Sequence, residues 1–245
     1  MKIAFLSDIH ANMEALQAVL ADLKDRRAVG TQDRVVCLGD LVGYGPEPQE
    51  VVDLVREQGF AVLVGNHEAA LASKKARGWM NFQARENNVS TEALLSRENL
   101  EYCSGLPRTL SFGTALCVHG CPPDSVNGYL YSMSDEAIQT VFAESSYTRF
   151  FVGHTHELQL VFETGDGIER QVPKPGQYPL EADTKYIINC GSVGQPRDGN
   201  NRAKYVIWDS EQDILEVCAV DYDIDSTFEK IIRRGFPKAF AQRLK

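Results

Sequence analysis

Lys2-Ile3-Ala4-Phe5-Leu6-Ser7-Asp8-Ile9-His10-Ala11-Asn12 is the stretch on which the reading of this chain turns. Its apolar half reads as a strand over Lys2–Ser7, and Met13 to Arg27 follows with Leu16, Val19, Leu20 and Leu23 at helical spacing. Between strand and helix stand an aspartate and a histidine two residues apart. In an extended chain residues i and i+2 point the same way, so a carboxylate and an imidazole can converge. That is half a site for a divalent metal of intermediate hardness. Alone it proves little, because strand ends are polar in most proteins.

Later segments supply partners. Arg34–Leu38 is a second strand pattern, ending in Gly39-Asp40, and Phe60–Val64 is a third, ending in Gly65-Asn66-His67-Glu68. Pro46 and Pro48 open a helix to about Gln58, since proline is tolerated in a first helical turn. Strands alternating with helices predict a largely parallel sheet, with ligands at the carboxyl ends of its strands. Farther on, Ala115–Val118 runs into His119-Gly120, and Phe150–Val152 into Gly153-His154-Thr155-His156. All five histidines of the chain follow an apolar strand-like run. One such histidine would be unremarkable; five in the same kind of position form a pattern.

The resulting set is Asp8, His10, Asp40, Asn66, His119, His154 and His156, nitrogen and oxygen donors with no thiolate. It suits Mn, Fe, Zn, Ni or Co better than Ca. Two ions can be served if one carboxylate bridges them, and Asp40 on the central strand is placed for that. Two such ions polarise a phosphoryl oxygen and activate a bridging water for in-line attack. His67 then falls near the leaving oxygen, as general acid or hydrogen-bond donor.

Composition narrows the alternatives. The chain has 245 residues, 43% hydrophobic and 24% charged, enough for a substantial core. No run approaches the roughly 20 apolar residues that span a bilayer, and Met1-Lys2 leads directly into a strand without a signal-peptide layout; a cytoplasmic protein is expected. The six cysteines lack a framework spacing, which points to reduced, buried thiols. Cys117 and Cys121 flank His119, but no second pair accompanies them as a structural zinc site requires. A net charge of −9 argues against nucleic acid, whose backbone needs clustered Lys and Arg; it says less about a small phosphate-bearing substrate, because bound metal cations would be the largest local charges in the site.

Asp8-x-His10, Gly39-Asp40, Gly65-Asn66-His67-Glu68, His119-Gly120 and Gly153-His154-x-His156 together resemble the five motifs of the calcineurin-like metallophosphoesterases, in the family's order. Gly191-Ser192-Val193-Gly194-Gln195-Pro196-Arg197-Asp198 resembles the Gly-Ser-rich turn of its small bacterial phosphodiesterase branch, with Cys190 where that branch usually has proline. The resemblance implies a four-layer αββα sandwich of two mixed sheets flanked by helices, as one domain over residues 1–245. It implies one metal on Asp8, His10, Asp40 and His156, a second on Asp40, Asn66, His119 and His154, and His67 as the catalytic histidine. Dinucleoside polyphosphates are among the substrates it brings into view, since some relatives sharing the Val220-Asp221-Tyr222-Asp223 tail act on them. A scaffold on the same fold and a nucleic-acid phosphodiesterase are the alternatives. The complete ligand set counts against the first, and the acidic charge against the second.

Some expectations concern the periphery. Asn12 is a candidate substrate contact or, equally, a helix cap. Arg197 is a candidate for neutralising substrate charge. Tyr44, Asn127 and Tyr129 are candidate walls. Residues 73–104, polar but carrying Trp79, Met80 and Phe82, read as a two-helix insertion with a break near Asn87-Asn88, either a cap or a cover for a sheet edge. Ser132-x-x-Asp135 reads as a capping box before a helix over 134–145. The short strand patterns after Leu158 read as hairpins of a second sheet, mixed or antiparallel. Homo-oligomerisation is compatible with the sequence, which does not fix it.

Overall fold

Strand β1 (Lys2–Leu6) shows why this chain must be layered: Ile3 and Phe5 enter one apolar cluster and Ala4 and Leu6 another. A strand buried on both faces needs a cover on each side. The computed structural model describes residues 1–26 and 34–245. In order, β1 is followed by α1 (Met13–Asp25), β2 (Arg34–Cys37), α2 (Pro48–Glu57), β3 (Ala61–Val62) and α3 (Asn66–Ala72). The insertion holds α4 (Lys74–Arg77), α5 (Phe82–Leu94) and α6 (Arg97–Ser104). Then come β4 (Thr109–Phe112), β5 (Ala115–Val118), α7 (Asp135–Glu144), β6 (Arg149–Val152), β7 (Leu158–Thr164), β8 (Gly167–Gln171) and β9 (Gly176–Pro179). The chain closes with β10 (Tyr186–Cys190), β11 (Ala203–Asp209), β12 (Ile214–Val220), α8 (Ile224–Arg233) and α9 (Lys238–Gln242).

The strands form two mixed six-stranded sheets, ordered β3-β2-β1-β11-β12-β9 and β4-β5-β6-β10-β7-β8. Between them lies a core of Ile3, Phe5, Val36, Phe151, Ile188 and Val206, among others, with Phe5 stacked on Phe151 at 3.7 Å between centroids. Leu16 and Val19 of α1 and Val51, Val52 and Val55 of α2 cover the outer face of the first sheet. Ile138 and Phe142 of α7 cover the second. This is the αββα sandwich. Among the described residues no helix is long and apolar enough to cross a membrane.

Four expectations change in detail. The hairpins after Leu158 do not make a sheet of their own. Strands β7, β8 and β10 join the sheet begun by β4–β6, whereas β11 pairs antiparallel with β1 in the first sheet, because alternate residues of β11 feed two different cores. The insertion does not break at Asn87-Asn88. Helix α5 runs through both, because each buried amide makes one tertiary bond, Asn87 to Tyr44 N and Asn88 to His67 O. Helix α7 is capped by Ser134, whose hydroxyl accepts from Ala137 N, and Ser132 lies in a preceding 3-10 turn. Helix α1 ends at Asp25, and Arg27, its expected end, lies outside the described residues.

Candidate metal centre

Asp8 and His10 converge by a route other than strand alternation. Strand β1 stops at Leu6, and both residues lie beyond it with left-handed backbone, at φ 51° and 49°. Asp40, His154 and His156 adopt the same region, at 53°, 66° and 63°. Such conformations cost about 1–3 kcal/mol each and persist only where the surroundings impose them. Here the surroundings are backbone bonds between loops: His10 N to Asp40 O, Ala11 N to Leu41 O, and Gly194 N to Asp8 O. The last closes over a contact so tight that a Cβ on Gly194 would overlap Ile9 O.

The carboxylates divide their oxygens. Asp8 Oδ2 accepts from Ser7 Oγ at 2.6 Å and His154 N at 2.9 Å. That leaves Oδ1 buried without a partner, 3.3 Å from His156 Nε2 and 3.7 Å from His10 Nε2. Asp40 Oδ1 accepts from His67 N at 2.9 Å, which leaves Oδ2 3.3 Å from His119 Nε2 and 3.8 Å from His10 Nε2. Ligand atoms of Asp8, His10 and His156 lie within 4.8 Å of one another, as do those of Asp40, His119 and His154, and of His10, Asp40 and His67. Asn66 reaches the second group, its Oδ1 3.2 Å from His119 Nε2. The seven predicted ligands and His67 therefore meet in one place.

The imidazoles are oriented from behind. His10 Nδ1 lies 3.0 Å from Val42 O, His119 Nδ1 2.6 Å from Leu38 O and His156 Nδ1 2.6 Å from Gln195 O. A carbonyl only accepts, so each Nδ1 carries a proton; His10 and His156 then offer the Nε2 lone pair to the centre, and His119 offers its own once a cation displaces the proton that Asp40 holds on it. The consequence is decisive for what fits there. His10 Nε2 and His156 Nε2 face each other at 3.1 Å, lone pair against lone pair, beside the partnerless Asp8 Oδ1. A cation between them satisfies every one of these atoms. A divalent metal fits.

Charge supports the same reading. Burial keeps His10 and His156 well below the usual imidazole range and pushes His154 down to about 3, so these rings are neutral and ready to ligate. Burial also works against protonation of His119, but the charge and hydrogen bond of Asp40 overcome it and raise the ring to about 10. Asp40 itself is held well below the usual carboxylate range: burial pushes it up, and His119 and His67 outweigh that. Burial pushes Asp8 up to about 6, another sign of negative charge awaiting a counter-ion.

A model of the calcineurin-like phosphoesterase family matches residues 1–158. The chain belongs to the calcineurin-like phosphoesterases. It is a metal-dependent hydrolase of the family's αββα fold. An uncharacterized protein of Methanocaldococcus jannaschii is 35% identical to this phosphoesterase over 245 residues, covering 99% of this chain and 96% of its own. The crystal structure of a metallophosphoesterase from Sphaerobacter thermophilus is 33% identical, covers 100% of this chain and 98% of its own, and superposes with a TM-score of 0.84. A hypothetical protein from Pyrococcus horikoshii, 19% identical, covers 99% and 97% with a TM-score of 0.77 and shares the fold.

Over the centre lies a cavity of about 200 Å³ whose lining includes Asp40, Asn66, His67, Trp79, Tyr129 and Arg197. His67 is buried, and burial lowers its pKa. Tyr44 stands edge-on to it at 4.6 Å between centroids, and Asn127 shares the lining. Arg197 is exposed, donates to Gln195 Oε1 at 2.8 Å and lies over the Tyr44 ring. Asn12 is corrected. It is buried, its oxygen caps α1 through Ala15 N and accepts from Thr227 Oγ1, and its amide donates to Gly194 O. With its polar atoms committed, Asn12 is a strut of the loop and does not face the cavity.

Sequence reasoning passes over two supports. Glu68 is buried, and its carboxylate accepts from Asp40 N, Gly65 N and Val42 N at 2.8, 2.9 and 3.1 Å; burial pushes it up to about 7. Its signal is an acid three residues after the glycine that starts a helix, where a side chain reaches back to the N-cap. Ser192 is the other: its Oγ donates to Asp8 O at 2.8 Å and accepts from Gln195 N at 2.8 Å, a role that its place in the Gly-Ser-rich turn does not by itself reveal.

Proposed function

We propose that the chain is a two-metal phosphoesterase acting on a small phosphodiester or nucleotide. One ion sits on Asp8, His10, Asp40 and His156, the other on Asp40, Asn66, His119 and His154. The observation that carries this reading is the second carboxylate oxygen of Asp40, which lies between His10 on one side and His119 on the other. Bound ions supply polarisation of a phosphoryl oxygen and a more acidic bound water. The donor set suits manganese among Mn, Fe, Zn, Ni and Co. The chain's own residues then orient and donate. His67, neutral through burial, offers its ring N–H to the oxygen that departs from phosphorus. In the hydrolysis the water oxygen ends on phosphorus and a water hydrogen on the departing oxygen.

Two surroundings favour a nucleotide with more than one phosphate, dinucleoside polyphosphates included. Arg197 lines both the cavity over the centre and an adjoining cleft of about 700 Å³ that holds Arg243 and Lys245, cationic ground on a chain of net charge −9. Trp79 and Tyr129, exposed at the mouth, offer aromatic faces to a base. The insertion serves as a cap on the leaving-group side. Six unpaired, buried thiols suit a reducing cytoplasm.

Protein supplied with Mn2+ should hydrolyse bis-p-nitrophenyl phosphate, and His67→Ala or Asp40→Asn should lower the rate by about 10²–10⁴. If wild type and both variants are equally inert with Mn, Fe, Zn, Co and Ni, the reading is wrong. A panel of dinucleoside polyphosphates, cyclic nucleotides and monoesters, assayed on wild type and Arg243→Ala, tests the substrate class: only polyphosphates should show a raised KM.

A further inference from the structure

We propose that Asn87 and Asn88 of α5 are positioning residues for the Tyr44 and His67 walls, so that the insertion sets the geometry on the leaving-group side. The proposal rests on the phosphoesterase reading of the centre. Both asparagines are buried, at 2% and 0% exposure, in the middle of a 13-residue helix. Asparagine is a poor interior helix residue, and taking an amide out of water is costly unless it is hydrogen-bonded. Each side chain recovers one bond, and neither bond goes to its own helix. Asn88 Nδ2 donates to His67 O at 3.0 Å, and Asn87 Oδ1 accepts from Tyr44 N at 2.6 Å. The other pole of each amide, Asn87 Nδ2 and Asn88 Oδ1, is left without a partner.

As packing this is a poor solution, since an amide with one pole stranded in the core costs free energy, and what it gains is the acceptor it gives Tyr44 N. The pair makes sense for what it holds. Two consecutive residues grip two loops that follow different strands: Tyr44, at φ 60°, from the loop after β2, and His67 from the start of α3 after β3. Those two rings are in edge contact. The same insertion presents Trp79, Met80, Asn81 and Ala84 to the cavity. One rigid helix thus ties the wall a leaving group would meet to the imidazole that would assist its departure. Such a local violation, recovered only at the site, is what a positioning role predicts.

The test separates misplacement of His67 from general damage. Bis-p-nitrophenyl phosphate releases a stable phenolate that needs little assistance, and diphenyl phosphate, of similar shape, releases a more basic one. With Mn2+, Asn88→Ala should lower kcat on diphenyl phosphate about tenfold more than on the nitrophenyl ester, with KM little changed. Thr91→Ala is the control: Thr91 is buried on the same helix and its hydroxyl has no partner. It should lower the thermal midpoint without splitting the two substrates. Equal losses on both substrates for Asn88→Ala, or the same split for Thr91→Ala, would overturn the proposal. Should Asn88→Ala not fold, Asn88→Val fills the site without a donor, and the absence of a split in it overturns the proposal equally. If wild type hydrolyses neither ester, the phosphoesterase reading falls first. If wild type is active, His67→Ala is not, and the Asn88 variants show no split, only the positioning claim falls.

Discussion

At the residue scale the centre depends on backbone that side-chain patterns do not announce. Asp8, His10, Asp40, His154 and His156 were legible as ligand types, because each follows an apolar run and aspartate and histidine tolerate left-handed backbone better than most residues. Their φ values were not legible, since those are imposed by bonds from loops far away in sequence. Glu68 concentrates that dependence, with three backbone N–H groups of two loops converging on one carboxylate. Glu68→Gln replaces one accepting oxygen with an amide nitrogen that confronts a donor. At pH 8 the variant should lose about 1–3 kcal/mol of stability and bind Mn2+ more weakly, because Asp40 N and Val42 N of the loop that carries Asp40 are both held by that carboxylate. Thermal unfolding with and without Mn2+ reads both effects, and a variant matching wild type in each would show that Glu68 is replaceable.

At the element scale, strands and helices with clear periodicity were legible nearly to their ends, as β7, β10, β11 and β12 show. Strand β9 was not, because Gly176-Gln177-Tyr178-Pro179 has no alternation and pairs only through β12. Sheet membership also escaped, since whether β11 pairs with β10 or β1 is decided by burial on both faces. Another unannounced element-level feature is Arg149 of β6. It is 1% exposed, bonds Asp213 between β11 and β12, and donates to Thr184 O at 2.6 Å and Glu181 O at 3.0 Å. One guanidinium therefore ties the second sheet to a turn of the first. Arg149→Met keeps the apolar stem but leaves Asp213 and these carbonyls short of a donor. Removing one partner of such a pair costs about 3–5 kcal/mol, toward the lower end here because Asp213 reaches water. The thermal midpoint should fall while activity per folded molecule stays, since Arg149 touches nothing in the centre. A midpoint equal to wild type would show the staple to be idle.

At the scale of the whole molecule the six cysteines sample its layers. Cys37, Cys103 and Cys218 lie in the core beneath α1 and α2, Cys117 and Cys190 lie between the sheets, and Cys121 is buried in the loop after His119. Burial pushes every one of these thiols up, Cys121 and Cys218 to about 11 and the others farther. An unfolded thiol ionises near pH 8.5–9. Below that range both states hold the proton and the thiols contribute no pH dependence. Above it the unfolded chain gives up protons that the folded chain keeps, so stability falls as pH rises from about 9 toward the folded values. The steepest loss is about 1.4 kcal/mol per thiol per pH unit. Urea midpoints measured from pH 8 to 11 should therefore decline with increasing slope, and replacing Cys218 by Ala should flatten the decline. At pH 8 the native protein should leave a thiol reagent such as DTNB unreacted, and urea should release six equivalents together if the layers open as one unit. Release in two stages, with one layer's thiols first, would instead show that the two sheets and their helical covers unfold separately.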